Sequence, residues 1–163
     1  MKRIAILAIV ALSALPLAAQ TRQSAADIAA ASTNGGTLVG SWVATVNVDP
    51  AIGVPPFKEL YTFHNDGTLV MVDDNAPGPP FPFTPGHGVW KRSNGGYVYK
   101  VVNLIYDPTT FLSNGNTSIL NNVKVDGDNF SGTGHGKFFG PDGVLLFEAD
   151  ATIIGTRITI DEP

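Results

Sequence analysis

A chain of 163 residues with 44% apolar side chains is long enough for one hydrophobic core and contains no stretch that would separate two. Its 10 Lys+Arg against 14 Asp+Glu give a net charge of −4 with no extended basic run, which argues against nucleic acid as a partner and against adhesion to an anionic membrane surface. With no cysteine, the fold has neither disulfides nor thiolate–metal staples, and its stability rests on packing.

The first segment reads as an export signal. Lys2 and Arg3 precede an apolar run over 4–15 that only Ser13 interrupts, and small residues lead to Ala19 as the expected cleavage position. The run is shorter than the roughly 20 residues a membrane anchor needs. A signal peptide over 1–19 implies an exported product, periplasmic or secreted, with no membrane insertion after cleavage. Without Lys2 and Arg3 the balance becomes 8 basic to 14 acidic, a net charge of −6. Residues 20–36 are rich in Ala, Ser, Thr, Asn and Gly and read as a flexible arm, with a short helix possible over 25–31. The remaining 37–163 form the expected folded domain.

Short β-rich runs then alternate with turn residues. Strands are expected over 38–48, 57–64, 68–73, 86–92, 97–106, 117–126, 129–139 and 144–160, the last bent or interrupted at Gly155. Asp66-Gly67 suggests a type I′ turn, because both central residues of that turn need positive φ. Eight strands in a meander bring the first and last together antiparallel, so the expected fold is an all-β, eight-stranded, up-and-down antiparallel barrel that leaves no exposed edge. A sandwich of the same strands is the alternative. Tight turns collect at one end. At the other, long connections over 49–56, 74–85 and 107–116 would ring a mouth, and loops of that length are more often functional than spacers.

Gly40-Ser41-Trp42 early in the first strand and Gly155-Thr156-Arg157 late in the last would share the pinched end. In this the chain resembles the lipocalins and the wider calycin group, in which a Gly-x-Trp opens the first strand and an arginine of the last packs across the indole. The resemblance covers the strand plan of 37–160 and implies a structural, barrel-closing role for Gly40, Trp42 and Arg157. It also implies a small apolar or amphipathic molecule as lumenal ligand. Gly86-His87-Gly88-Val89-Trp90-Lys91-Arg92 resembles strings in small exported bacterial barrel proteins of unassigned role. Trp90 and Arg92 share a strand face there, which leaves a second indole–arginine contact open, while the leading reading of Trp90 is a core role.

Two features point to a binding site. Gly132, Gly134 and Gly136 alternate on one face of a strand and forfeit side-chain packing. They would either widen the lumen for a ligand or admit strong curvature and close packing of a neighbour. The proline-rich segment 75–85 presents Phe81 and Phe83, as an apolar lid over the mouth or as a stiff loop folded on the wall. Three scattered histidines, His64, His87 and His135, lack metal-site spacing, and no metal or cofactor is expected. Glu148 and Asp150 share the outward face of the last strand. No nucleophile triad, phosphate loop or dinucleotide fingerprint occurs. The leading expectation is ligand binding in the lumen. Beside it stand an isomerase or cyclase using His87, Tyr61 or Tyr106 as acid–base groups, and a loop-mediated interaction module for a protein or glycan.

Overall fold

The structure, a computed structural model, describes residues 36–74, 83–107, 109–110 and 112–160. The expected signal peptide, all of the arm but Gly36, and the loop residues 75–82, Phe81 included, lie outside the described residues. Eight strands, β1 (Gly40–Val48), β2 (Phe57–Phe63), β3 (Thr68–Asp73), β4 (Gly86–Ser93), β5 (Gly96–Tyr106), β6 (Ser113–Asp126), β7 (Asn129–Phe139) and β8 (Leu145–Arg157), form a closed up-and-down barrel. Every neighbouring pair is antiparallel, and β1 closes on β8 with Trp42 opposite Arg157. A row of partners followed from Gly40 through Phe63, Gly88, Ile119 and Ala149 returns to β1 level with about residue 50. That stagger of about ten residues tilts the strands by roughly 40°.

Side-chain alternation selects the inward set. Along β2, Glu59, Tyr61 and Phe63 are buried while Lys58 and Leu60 are exposed, and the other strands follow the same period of two. The turn-bearing half of the lumen is filled by Trp42, Tyr61, Phe63, Trp90, Tyr97, Tyr99 and Phe130. Their rings meet mostly edge to face, with centroids such as Trp42–Phe130 at 5.1 Å and Phe63–Tyr99 at 5.2 Å.

Residues 36–39 seal this end. Leu38 is fully buried, and its carbonyl accepts from Trp42 Nε1 at 2.9 Å. The Gly36 carbonyl accepts from the Tyr97 hydroxyl at 3.2 Å. Strand β1 therefore begins at Gly40 rather than at 38. Gly40 has φ +128°, which turns the chain from the floor into the wall, and a Cβ there would lie 2.5 Å from Arg157 Nη1.

Three further local expectations are corrected. The β2–β3 turn has positive φ only at Gly67, with His64 N–H donating to the Thr68 carbonyl at 2.9 Å, so it is a three-residue loop closed by a left-handed glycine. Positive φ at both central residues occurs instead at Asn94-Gly95, between β4 and β5. Strand β6 starts at Ser113 because Gly115, at φ +122°, absorbs an irregularity opposite Ile105 and keeps Ser113–Asn116 in the ladder. Strand β8 runs unbroken through Gly155, whose missing side chain makes room for the Phe130 ring, since a Cβ would lie 2.2 Å from it.

Candidate functional site

The half of the lumen nearer the long connections differs from the filled half in chemistry and in cover. Val48, Phe57, Ile119, Gly136, Phe138, Ala149 and Ala151 face inward, yet none is fully buried. At its rim Phe138 and Phe147, partners across β7 and β8, stack with centroids 4.1 Å apart and planes 10° from parallel. Phe147 is 43% exposed, so an aromatic pair stands at the entrance in contact with solvent.

The three β7 glycines serve separate purposes. A Cβ on Gly132 would lie 1.9 Å from the Asn122 carbonyl oxygen, so this glycine permits close approach of two backbones. A Cβ on Gly134 would lie 2.2 Å from Asn121 Oδ1, so that space is occupied by an amide side chain. Gly136 has only ordinary contacts, the nearest being the Phe138 ring at 3.4 Å, and it widens the entrance half.

Where the aromatic filling ends, a polar group of side chains sits inside the barrel. Glu59, Asn103, Thr117 and Asn121 are each at most 5% exposed. Tyr61 donates a short hydrogen bond to Glu59 Oε2. Burial raises the Glu59 carboxyl to about 7, with the charges of Asp73 and Asp74 acting in the same direction, so near neutral pH its protonated and ionised forms are comparably populated. Burial likewise holds the Tyr61 and Tyr99 phenols well above the ordinary range. Asn103 donates from Nδ2 to the Thr84 carbonyl at 2.9 Å, and its Oδ1 accepts from the Thr117 hydroxyl at 3.2 Å.

Asn121 Nδ2 is buried and makes no hydrogen bond, whereas the buried Tyr99 hydroxyl interacts with that of Tyr61. An unmet buried donor costs on the order of 1–3 kcal/mol. Tyr99 and Asn121 are direct partners across β5 and β6 on the inward face, the Asn121 amide lying over Gly134 of β7 and the Tyr99 ring meeting Tyr61 and Phe63 of β2.

The other candidate residues are dispersed. His87 is exposed on the outer wall of β4, opposite Val70 and Val102, whereas Tyr61 is inside and Tyr106 ends β5. The structure does not bring these three together. Phe83 is half-buried and bridges to Ile105, and Thr84 beside it exchanges hydrogen bonds with Leu104, tying this segment to β5. Arg92 lies over Tyr97, 5.2 Å from the ring centroid, rather than over Trp90. Arg92 and Tyr97 are direct cross-strand partners, which gives that ring the shorter reach.

A groove of about 740 Å³ runs over the outer wall, along Leu120, Asn122, Thr133, His135, Asp150 and Thr152. His135 there bonds Asp150 at 2.7 Å and Glu148 at 3.1 Å, and these bonds, Asp150 first, raise its pKa. The groove is open to solvent and these charged groups already pair with one another, so the lumen is the stronger candidate. Among the described residues no three His, Cys, Asp or Glu side chains are placed to hold a metal ion, and no helix is long and apolar enough to cross a membrane.

Sequence reasoning passed over Glu59, Asn103, Thr117 and Asn121. The signal was present for Glu59, which shares an alternating face with Phe57, Tyr61 and Phe63 and is therefore a carboxylate on an apolar stripe. For the two asparagines the same alternation applies, with Val101 and Ile105 flanking Asn103 and Ile119 and Val123 flanking Asn121. No family model, curated protein or solved structure matches the chain.

Proposed function

We propose that the protein is an exported, lipocalin-like barrel that binds one small amphipathic molecule in the entrance half of its lumen. The observation that carries this reading is the unsatisfied Asn121 Nδ2, buried beneath an apolar, half-exposed entrance. A ligand entering past Phe138 and Phe147 would lay its apolar part against Val48, Ala149 and Ala151. Its polar end would meet the Asn121 amide. The aromatic filling below closes the far end, so the site is a cup rather than a channel. Apolar burial would supply most of the affinity and the polar end the orientation. Phe81 and Phe83 are proposed as a cover for the entrance.

Native mass spectrometry of protein purified from its exporting host, followed by solvent extraction, tests this reading. The expected result is one bound apolar compound per barrel, displaced when Gly136→Leu narrows the entrance half. An empty protein that takes up no member of a lipid, terpenoid and aromatic panel would overturn it.

A second reading has its own observation, the Glu59 carboxyl poised near 7 against Tyr61. Such a pair could move a proton on a bound apolar substrate, as an isomerase or cyclase requires. Glu59→Gln separates the two readings, because it would abolish turnover while sparing binding.

A further inference from the structure

The two ends of the barrel differ in what their connections expose. At the floor end the turns 64–67, 94–95 and 126–128 contain no aliphatic side chain. At the entrance end Ile52 is 44% exposed, Leu112 68%, and Val144, Leu145 and Leu146 58%, 44% and 63%. They stand on the β1–β2 connection, the β5–β6 connection and the β7–β8 hairpin. Single exposed aliphatics need no explanation, but a set gathered at one end marks a contact surface.

Charge narrows what that surface fits. The four entrance connections, 49–56, 74–85, 107–112 and 140–144, contain one aspartate each and no lysine, arginine or histidine. Three of these carboxylates accept N–H groups of their own connections, Asp49 from Ala51 at 2.9 Å, Asp107 from Thr109 at 2.7 Å and Asp142 from Val144 at 3.0 Å. Such bonds hold the connections in place, and none of the four aspartates, Asp74 included, is in an ion pair among the described residues. Glu148, by contrast, already has His135 and Lys137. The rim is therefore apolar and negative. An anionic membrane or a second copy of the same rim would be repelled, whereas an occupant with an apolar face and positive charge is complementary in both respects. Eight strands about 4.8 Å apart and tilted by roughly 40° make a ring roughly 16 Å across. About eleven residues of helix span that width.

We propose that the entrance rim is a docking surface for a basic amphipathic helix of a partner protein. Its apolar face would rest on Ile52, Leu112 and Leu146, and its lysines or arginines would meet the four aspartates. The inference does not depend on lumenal binding, and its failure would leave that reading standing.

Three labelled peptides of about 16 residues, titrated with the purified protein and read by fluorescence anisotropy, test it. They are a leucine–lysine amphipathic helix, its leucine–glutamate counterpart, and the leucine–lysine composition reordered so that no apolar face forms. The first is expected to bind at least about tenfold more tightly than the other two, and to weaken at least about fivefold between roughly 50 and 300 mM salt. Leu112→Ser with Leu146→Ser should lower its affinity at least about fivefold, and so should Asp74→Asn with Asp142→Asn. All four side chains lie at the surface, and asparagine at 142 keeps an oxygen for the Val144 N–H, so melting temperatures should stay close to the parent's. Asp66→Asn, at the opposite end, should leave binding unchanged. Equal binding of the acidic or reordered peptide, or an affinity indifferent to both double substitutions, would overturn the inference. So would docking onto zwitterionic lipid vesicles in place of the peptide, or rim-dependent self-association in sedimentation.

Discussion

The Arg157 guanidinium lies over Trp42, 4.1 Å from the ring centroid, and the same group donates to the carbonyls of Thr37 at 2.6 Å and Val39 at 2.7 Å and to Asp128 at 2.9 Å. One side chain thus joins the first strand, the last strand, the floor segment and the β6–β7 turn. The planar guanidinium is suited to this, because its donors diverge in a plane while its face rests on the indole. Arg157→Ala removes the stack and leaves two partly buried carbonyls without their partner. It should cost roughly 3 kcal/mol in urea denaturation. Arg157→Lys should recover less than half of that loss, since an ammonium offers neither the flat face nor the divergent donors.

Phe130 fills the space that Gly155 leaves open, so the two positions are expected to be coupled. Gly155→Ala alone should destabilise by about 2 kcal/mol or more, because the new methyl overlaps a packed ring. Phe130→Leu alone should also destabilise, by removal of the edge contact with Trp42. Combined, they should cost less than the sum of the two, and a double-mutant cycle would measure the difference. A strictly additive cycle would mean that the ring and the methyl do not compete.

The buried carboxyl makes stability depend on pH in a definite direction. The folded protein holds the Glu59 proton up to about pH 7, whereas the unfolded chain releases it near 4.5. Between those values the folded state binds more protons, so stability falls as pH rises and levels off above about 7. The full effect is roughly 3 kcal/mol. Glu59→Gln cannot titrate and should lack this fall. His135, also raised by its partners, adds loss of the same sign as pH rises through its folded value, so the quantity to read is the difference between parent and variant. Urea denaturation of both proteins from pH 4 to 8 supplies it, and parallel curves would remove Glu59 as the source.

At the entrance, Phe147→Ala separates binding from folding. The ring is partly exposed and stacks on Phe138 alone among the described aromatic pairs, so its loss should cost no more than about 1 kcal/mol. Uptake of an apolar fluorescent probe such as N-phenyl-naphthylamine should nonetheless weaken several-fold. Unchanged uptake would place the probe elsewhere than the entrance half.

Much of this architecture was legible in the chain. Alternation locates all eight strands within a few residues, and the positions of Trp42 and Arg157 follow from a meander that closes on itself. The departures have local physical causes. Ser113-Asn114-Gly115-Asn116 has the composition of a turn, yet a left-handed glycine lets it remain in the ladder. Gly155 resembles a strand break until Phe130 is known to occupy its space. The polar group in the lumen was harder to read. Glu59, Asn103 and Asn121 sit on stripes otherwise apolar, and their partners are set by the barrel's stagger, which links residues far apart in sequence. Tyr99 beside Asn121 is a fact of register, and composition carries no register.

The barrel is filled with aromatic rings at one end and polar and half-covered at the other, and this divides the molecule by tolerance to change. Closure, floor and most of the packing reside in the lower half, against which Val48, Phe57, Ile119 and Ala151 pack from the entrance side. Gly136, Phe138, Phe147 and Ala149 stand outside that cluster and can be varied together without undermining what keeps the chain folded. A library randomised at those four positions should return mostly well-folded barrels, with altered ligand preferences under the lumenal binding proposed above, whereas an equal number of changes around Trp42, Phe63 and Phe130 should return few that fold at all. The lower half is in effect a pedestal, and selection acting on the cup above it is free to explore.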